Sequence, residues 1–111
     1  MADVQEKIQQ LQMYEYQIQQ ILNQKQQLNS KKIEANSVIE DLTKTDEAYE
    51  LVGNILLKKS SLDIKKALEE KNEMFDIRLK SLEKQEKDVK EKAEQLQKEV
   101  LGELKEQSKN K

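Results

Sequence analysis

Proline is absent from this 111-residue chain, and glycine occurs only twice. Helix interiors therefore lack the residue that removes a backbone donor and clashes with the preceding turn. Cysteine is absent too, which excludes a disulfide framework and thiol chemistry and fits a reducing compartment. Without histidine the usual general base and the commonest metal ligand are missing. Aromatics make up 4% of the chain and hydrophobic residues 35%, too little for a compact globular core but enough for a narrow seam. No run approaches the roughly 18 apolar residues that span a membrane. The start, MADVQEKIQQ, has no apolar core of a signal peptide, so a cytoplasmic protein is expected.

What is abundant is charge, at 38% of residues and nearly balanced, with 20 basic and 22 acidic side chains. A net charge of −2 gives no electrostatic reason to expect nucleic acid or an anionic membrane as partner. Residues 1–20 carry a single lysine, Lys7, which argues against a basic DNA-binding helix.

The apolar residues are ordered. Val4, Lys7, Leu11, Tyr14, Ile18, Ile21, Lys25, Leu28, Lys32, Ala35, Ile39 and Leu42 follow alternating three–four spacing, and nine of the twelve are apolar. Leu68, Asn72, Phe75, Leu79, Leu82, Glu86, Val89, Ala93, Leu96 and Val100 do the same, with eight of ten apolar. Average composition would give about four in each set, so both read as heptad seams of a coiled coil. The ten glutamines before residue 28 interleave with the seam and read as a soluble helix surface.

The pattern predicts a first helix over 3–43, capped by Asp3, and a second over 63–106, capped by Ser60, Ser61 or Asp63, with a frayed tail at 107–111. Between them Tyr49-Glu-Leu-Val and Ile55-Leu-Leu-Lys flank Gly53-Asn54, the signature of a two-residue hairpin over 47–59. A lone two-stranded hairpin is marginal in water and leaves two open edges. The sheet is therefore expected to be completed by other chains, with Tyr49, Leu51, Val52, Ile55, Leu56 and Leu57 as the oligomerisation surface. The fold expected is mainly α: one unit over 1–111, a long antiparallel two-helix coiled coil with a central β-hairpin. In the expected register Leu42 lies near Ile64, Val4 near Gly102, and Lys25 near Glu83.

Apolar residues spill outside the seam near the chain ends: Ile8 and Met13 on the first helix, Leu101 and Leu104 on the second. They read as an adaptable surface for apolar segments. No glycine-rich phosphate loop, calcium-loop spacing or nucleophile–base pair is present, so no enzymatic activity, cofactor or metal is expected.

The segment Tyr49-Glu-Leu-Val-Gly-Asn-Ile-Leu-Leu-Lys-Lys59, set between two heptad helices, resembles the beta class of prefoldin subunits, and Arg78-Leu-Lys-Ser-Leu-Glu-Lys-Gln-Glu86 is similar to that family's second helix. One hairpin rather than two indicates the beta class, and the short tails an archaeal type. The resemblance implies an ATP-independent holdase in a hexamer of two alpha-type and four beta-type subunits, with the central β-hairpin joining an intersubunit β-barrel. It further implies non-native clients gripped at the coiled-coil tips and delivered to a group II chaperonin. The positions matching the tips are Val4, Ile8, Leu11, Met13, Val100, Leu101 and Leu104. The competing function is a structural coiled-coil scaffold or tether, which would satisfy its seam to the ends and need no incomplete sheet.

Overall fold

The computed structural model describes residues 3–109. Helix α1 (Val4–Leu42) leads into strand β1 (Glu47–Val52), strand β2 (Ile55–Ser60) and helix α2 (Ser61–Lys109). Internal contacts divide the chain into two compact units. Unit 1 combines the stretch ending at Lys25 with that starting at Ser81, and unit 2 is Gln26–Lys80.

The caps are local chemistry. The Glu6 amide donates to Asp3 Oδ1 at 2.9 Å and the Lys7 amide to the Asp3 carbonyl, so Asp3 satisfies orphan donors at the start of α1. At α2 the Asp63 amide donates to Ser60 Oγ at 3.2 Å. Of the three candidate caps Ser60 is the one used, and α2 begins two residues before the expected position. It also continues helical to Lys109, past the expected end at 106. Helix α1 closes where Thr43 donates through both its amide and its hydroxyl to the Glu40 carbonyl.

The predicted seams are the buried faces. Every one of the twelve heptad positions of α1 is buried or half-buried, and every other position of that helix is exposed. All ten seam positions of α2 are likewise covered. In unit 1 the buried apolar residues are Ile21, Leu82 and Val100, with Leu82 only 1% exposed. Burying a leucine so completely is worth about 1.5–3 kcal/mol. In unit 2 they are Ala35, Leu42 and Leu79.

Each polar side chain in the seams finds a partner on the opposite helix. In unit 1 Lys7 pairs with Glu99 and Glu103, and Lys25 with Glu86 at 3.6 Å. In unit 2 Lys32 pairs with Asp76, and Asn72 Nδ2 donates to Asn36 Oδ1 at 2.8 Å. In both units later positions of α1 meet earlier positions of α2, so the helices are antiparallel. The partner of Lys25 corrects the expected register: it is Glu86, about one turn beyond Glu83. Along α2 the i,i+4 pairs Glu86–Lys90 and Glu94–Lys98 close at 3.7 Å.

Polar seam residues lower stability and set register. Lys25→Leu alone leaves the Glu86 carboxylate, 14% exposed, with only the more exposed Lys90 at 3.7 Å. Urea denaturation is expected to show the single variant destabilised by about 1 kcal/mol and Lys25→Leu/Glu86→Leu at or above the parent stability. A single variant as stable as the double would show that the pair carries no such cost.

Candidate functional site: a two-edged hairpin and exposed apolar helix surface

The hairpin is built by its turn. Gly53 has φ +61°, and no non-glycine residue has a positive φ among those described. Positive φ at the first central residue alone is the pattern of a type II′ turn, whose twist matches the strands it joins. A side chain at Gly53 would meet open space, so its constraint is purely backbone conformation. Gly53→Ala is expected to cost the hairpin roughly 1–3 kcal/mol. Faster amide exchange across Glu47–Ser60, with helix amides unchanged, is the measurement; equal protection would show that the turn carries no such constraint.

Strands β1 and β2 pair antiparallel from Glu47↔Ser60 to Val52↔Ile55. At the base the Ser61 amide donates to the Asp46 carbonyl at 3.1 Å. Directly opposed residues share a face. One face therefore presents Tyr49, Leu51 and Leu56, and the other Val52, Ile55 and Leu57. All six are exposed, from Leu57 at 44% to Leu56 at 66%. Among the described residues the sheet has two strands and hence two unpaired edges.

Charge sits nearer the base of the hairpin. Lys58 pairs with Glu47 at 3.1 Å on the first face, and Lys59 with Glu50 at 2.7 Å on the second. The hydrogen bond and charge of Lys59 hold the Glu50 carboxyl below the usual carboxylate range, with a smaller contribution from Lys71. A lowered carboxylate pKa adds stability that is present above its ordinary value and lost as pH falls through the lowered one.

The expected client-contacting residues fall in unit 1 and divide by burial. Val100 is 6% exposed and serves the seam. Val4 and Leu11 are half-buried at seam positions. Their packing between helices removes them as free surface, because a heptad position points inward whatever the chain end does. Ile8, Met13, Leu101 and Leu104 are exposed. Beside them Lys7 is held protonated to higher pH than an ordinary lysine, first by its hydrogen bond to Glu103 and then by the charges of Glu103 and Glu99, against a desolvation that lowers it.

Sequence reasoning passed over other exposed apolar residues: Tyr16 and Leu22 in unit 1, and Ile33, Val38, Met74 and Ile77 in unit 2. In unit 2 a groove of about 760 Å³ is lined by Leu28, Val38, Leu68, Met74 and Phe75, rimmed by Lys31, Glu34, Lys71 and Arg78. Their signal was present, since each exposed residue is apolar at a non-heptad position. Among the described residues no three His, Cys, Asp or Glu side chains are placed to hold a metal ion, and no helix is long and apolar enough to cross a membrane.

The profile of the family described as prefoldin subunit matches residues 5–107. The chain is 38% identical over 104 residues to prefoldin subunit beta of Methanospirillum hungatei, covering 91% of this chain and 87% of that one. It is 36% identical over 91 residues to prefoldin subunit beta of Archaeoglobus fulgidus, covering 79% and 78%. Among solved structures, the prefoldin beta subunit from Thermococcus strain KS-1 matches with a TM-score of 0.83 and 31% identity over 91% of each chain.

Proposed function

The chain belongs to the prefoldin subunit family, and from that premise we propose that it is a beta-type subunit of a cytoplasmic, ATP-independent holdase. In this reading four copies join two alpha-type subunits through their hairpins. Non-native proteins are held at the exposed apolar surface of unit 1 and passed to a group II chaperonin, with no catalytic step in the chain itself.

The observation that carries the reading is where apolar surface stays uncovered. A hairpin with apolar residues on both faces and two open edges is an unfinished sheet, and Ile8, Met13, Leu101 and Leu104 lie outside a seam that is otherwise closed. A scaffold needs neither. One such small patch binds weakly, but several held on a common base engage one unfolded chain with avidity raised by ~10²–10⁴.

The test is suppression of aggregation of a chemically denatured client, without nucleotide, by this chain together with an alpha-type subunit. Suppression that needs both subunits and no ATP is expected. An assembled complex that leaves aggregation unchanged would favour the scaffold.

A further inference from the structure

We propose that the groove of unit 2 is a docking site for an acidic amphipathic helix of a partner protein. Such a helix is apolar along one face, carries carboxylates at both ends, and lies on the coiled coil as a third helix.

The floor of the groove is the seam itself, supplied by Leu28 and Ala35 of α1 and by Leu68 and Phe75 of α2. Val38 and Met74, 45% and 68% exposed, extend it with apolar surface that the two-helix seam does not use. The groove runs from Leu28 to Val38 on one helix and from Leu68 to Arg78 on the other, about 15 Å or three helical turns. An apolar stripe wider than the two-helix seam is the pattern of helices that pack against more than one neighbour.

The charge of the rim says which neighbour. Lys31 stands three residues after Leu28, Lys71 three after Leu68 and Arg78 three after Phe75, so all three flank the seam. The contacts of Lys32 with Asp76 and of Asn72 with Asn36 bring Lys31 about level with Arg78 and Val38 about level with Lys71. Flanking positions of a coiled coil commonly pair opposite charges across the seam. Here two cations meet at one end of the groove and a third stands at the other. Among the described residues Lys31, Lys71 and Arg78 enter no ion pair, whereas the seam lysines Lys7, Lys25 and Lys32 all do. Lys71 acts on the Glu50 carboxyl only through its charge, and Glu34 is the single carboxylate of the groove. In unit 1 the α1 positions that correspond to Lys31 are Gln10, Gln17 and Gln24, which carry no charge. The cationic rim therefore belongs to unit 2, in a chain whose net charge is −2.

Cations at both ends and an apolar middle fit a helix with carboxylates about ten residues apart. The apolar face supplies the burial, and the end charges choose the partner and its orientation. A second copy of this groove is a poor occupant, because it brings the same cations. The site is separate from the apolar surface of unit 1 and does not depend on the holdase reading.

The test uses the full chain assembled with an alpha-type subunit. The probe is a fluorescein-labelled, lactam-stapled peptide of about three turns, with leucines on one face and glutamates at each end. Fluorescence anisotropy is expected to show binding roughly tenfold tighter than for the same peptide with glutamine in place of glutamate, and weakening as ionic strength rises. Lys31→Gln/Arg78→Gln is expected to erase that difference by weakening only the acidic peptide, and Val38→Gln/Met74→Gln to weaken both peptides. Circular dichroism of each variant checks that the helices are retained. Equal affinity for the two peptides, or no effect of Lys31→Gln/Arg78→Gln, would overturn the proposal. Equal binding of an unstapled acidic peptide with a central proline would identify the occupant as a non-helical segment and overturn it too. A smaller complex with Val38→Gln/Met74→Gln, measured by light scattering, would make the groove a subunit contact. Loss of client suppression with Lys31→Gln/Arg78→Gln would make it a client site. Either result would likewise end the proposal. Failure of the complex to suppress aggregation, with charge-selective peptide binding intact, would remove the holdase reading and leave the docking site standing.

Discussion

Leu57→Asp is expected to abolish assembly with an alpha-type subunit while leaving most of the helix content of the chain in place. The separation follows from where Leu57 sits. In the isolated chain it is 44% exposed on a strand, so a polar replacement there disturbs little that is already packed. Surface changes of that kind usually stay within about 0.5 kcal/mol. In a shared sheet the same position is covered, and an unpaired carboxylate buried at an inter-strand contact costs several kcal/mol. Ile55→Asp, at the turn end of the same face, is expected to behave alike. Light scattering measures the assembly and circular dichroism the helices. A full-size complex with both variants would mean that these faces remain in solvent.

The second large effect is expected on client holding. Replacing Ile8, Met13, Leu101 and Leu104 together by glutamine removes the exposed apolar side chains of unit 1 that lie nearest the chain ends and keeps good helix formers at each position. The seam residues Val4, Leu11 and Val100 are left alone, so the coiled coil is retained. The complex should assemble as before, while suppression of client aggregation falls by about tenfold or more, since avidity multiplies the loss at each patch. Deleting residues 1–10 and 102–111 should act in the same direction. Unchanged suppression, with assembly confirmed in the same sample, would exclude this surface and direct attention to the groove of unit 2 lined by Val38, Met74 and Phe75.

The difference between these two sites in legibility is instructive. The hairpin could be read almost residue by residue, because its information is local: Gly53-Asn54 dictates a two-residue turn, and the turn dictates that Val52 opposes Ile55. The exposed apolar surface of unit 1 could be read only in part. The tip positions that the resemblance implies group Val4, Leu11 and Val100 with Ile8 and Leu104, yet the first three belong to the seam. Heptad phase separates them, placing Ile8, Met13, Leu101 and Leu104 outside the seam and the other three within it. The same test would have flagged Ile33, Val38, Met74 and Ile77, apolar residues at positions the seam does not use.

By itself the sequence determined the faces: which positions of α1 and α2 turn inward, that both helices run long without proline, and that a hairpin interrupts them. Those follow from periodicity and backbone chemistry, which act within a few residues. Register was left to the tertiary structure. A heptad seam slid by one turn still presents apolar residues to apolar residues, so the pattern tolerates Lys25 beside Glu83 as readily as beside Glu86. What separates them is the set of cross-helix polar contacts, Lys7 with Glu103, Lys25 with Glu86, Lys32 with Asp76 and Asn72 with Asn36, and these form only once the two helices are in place.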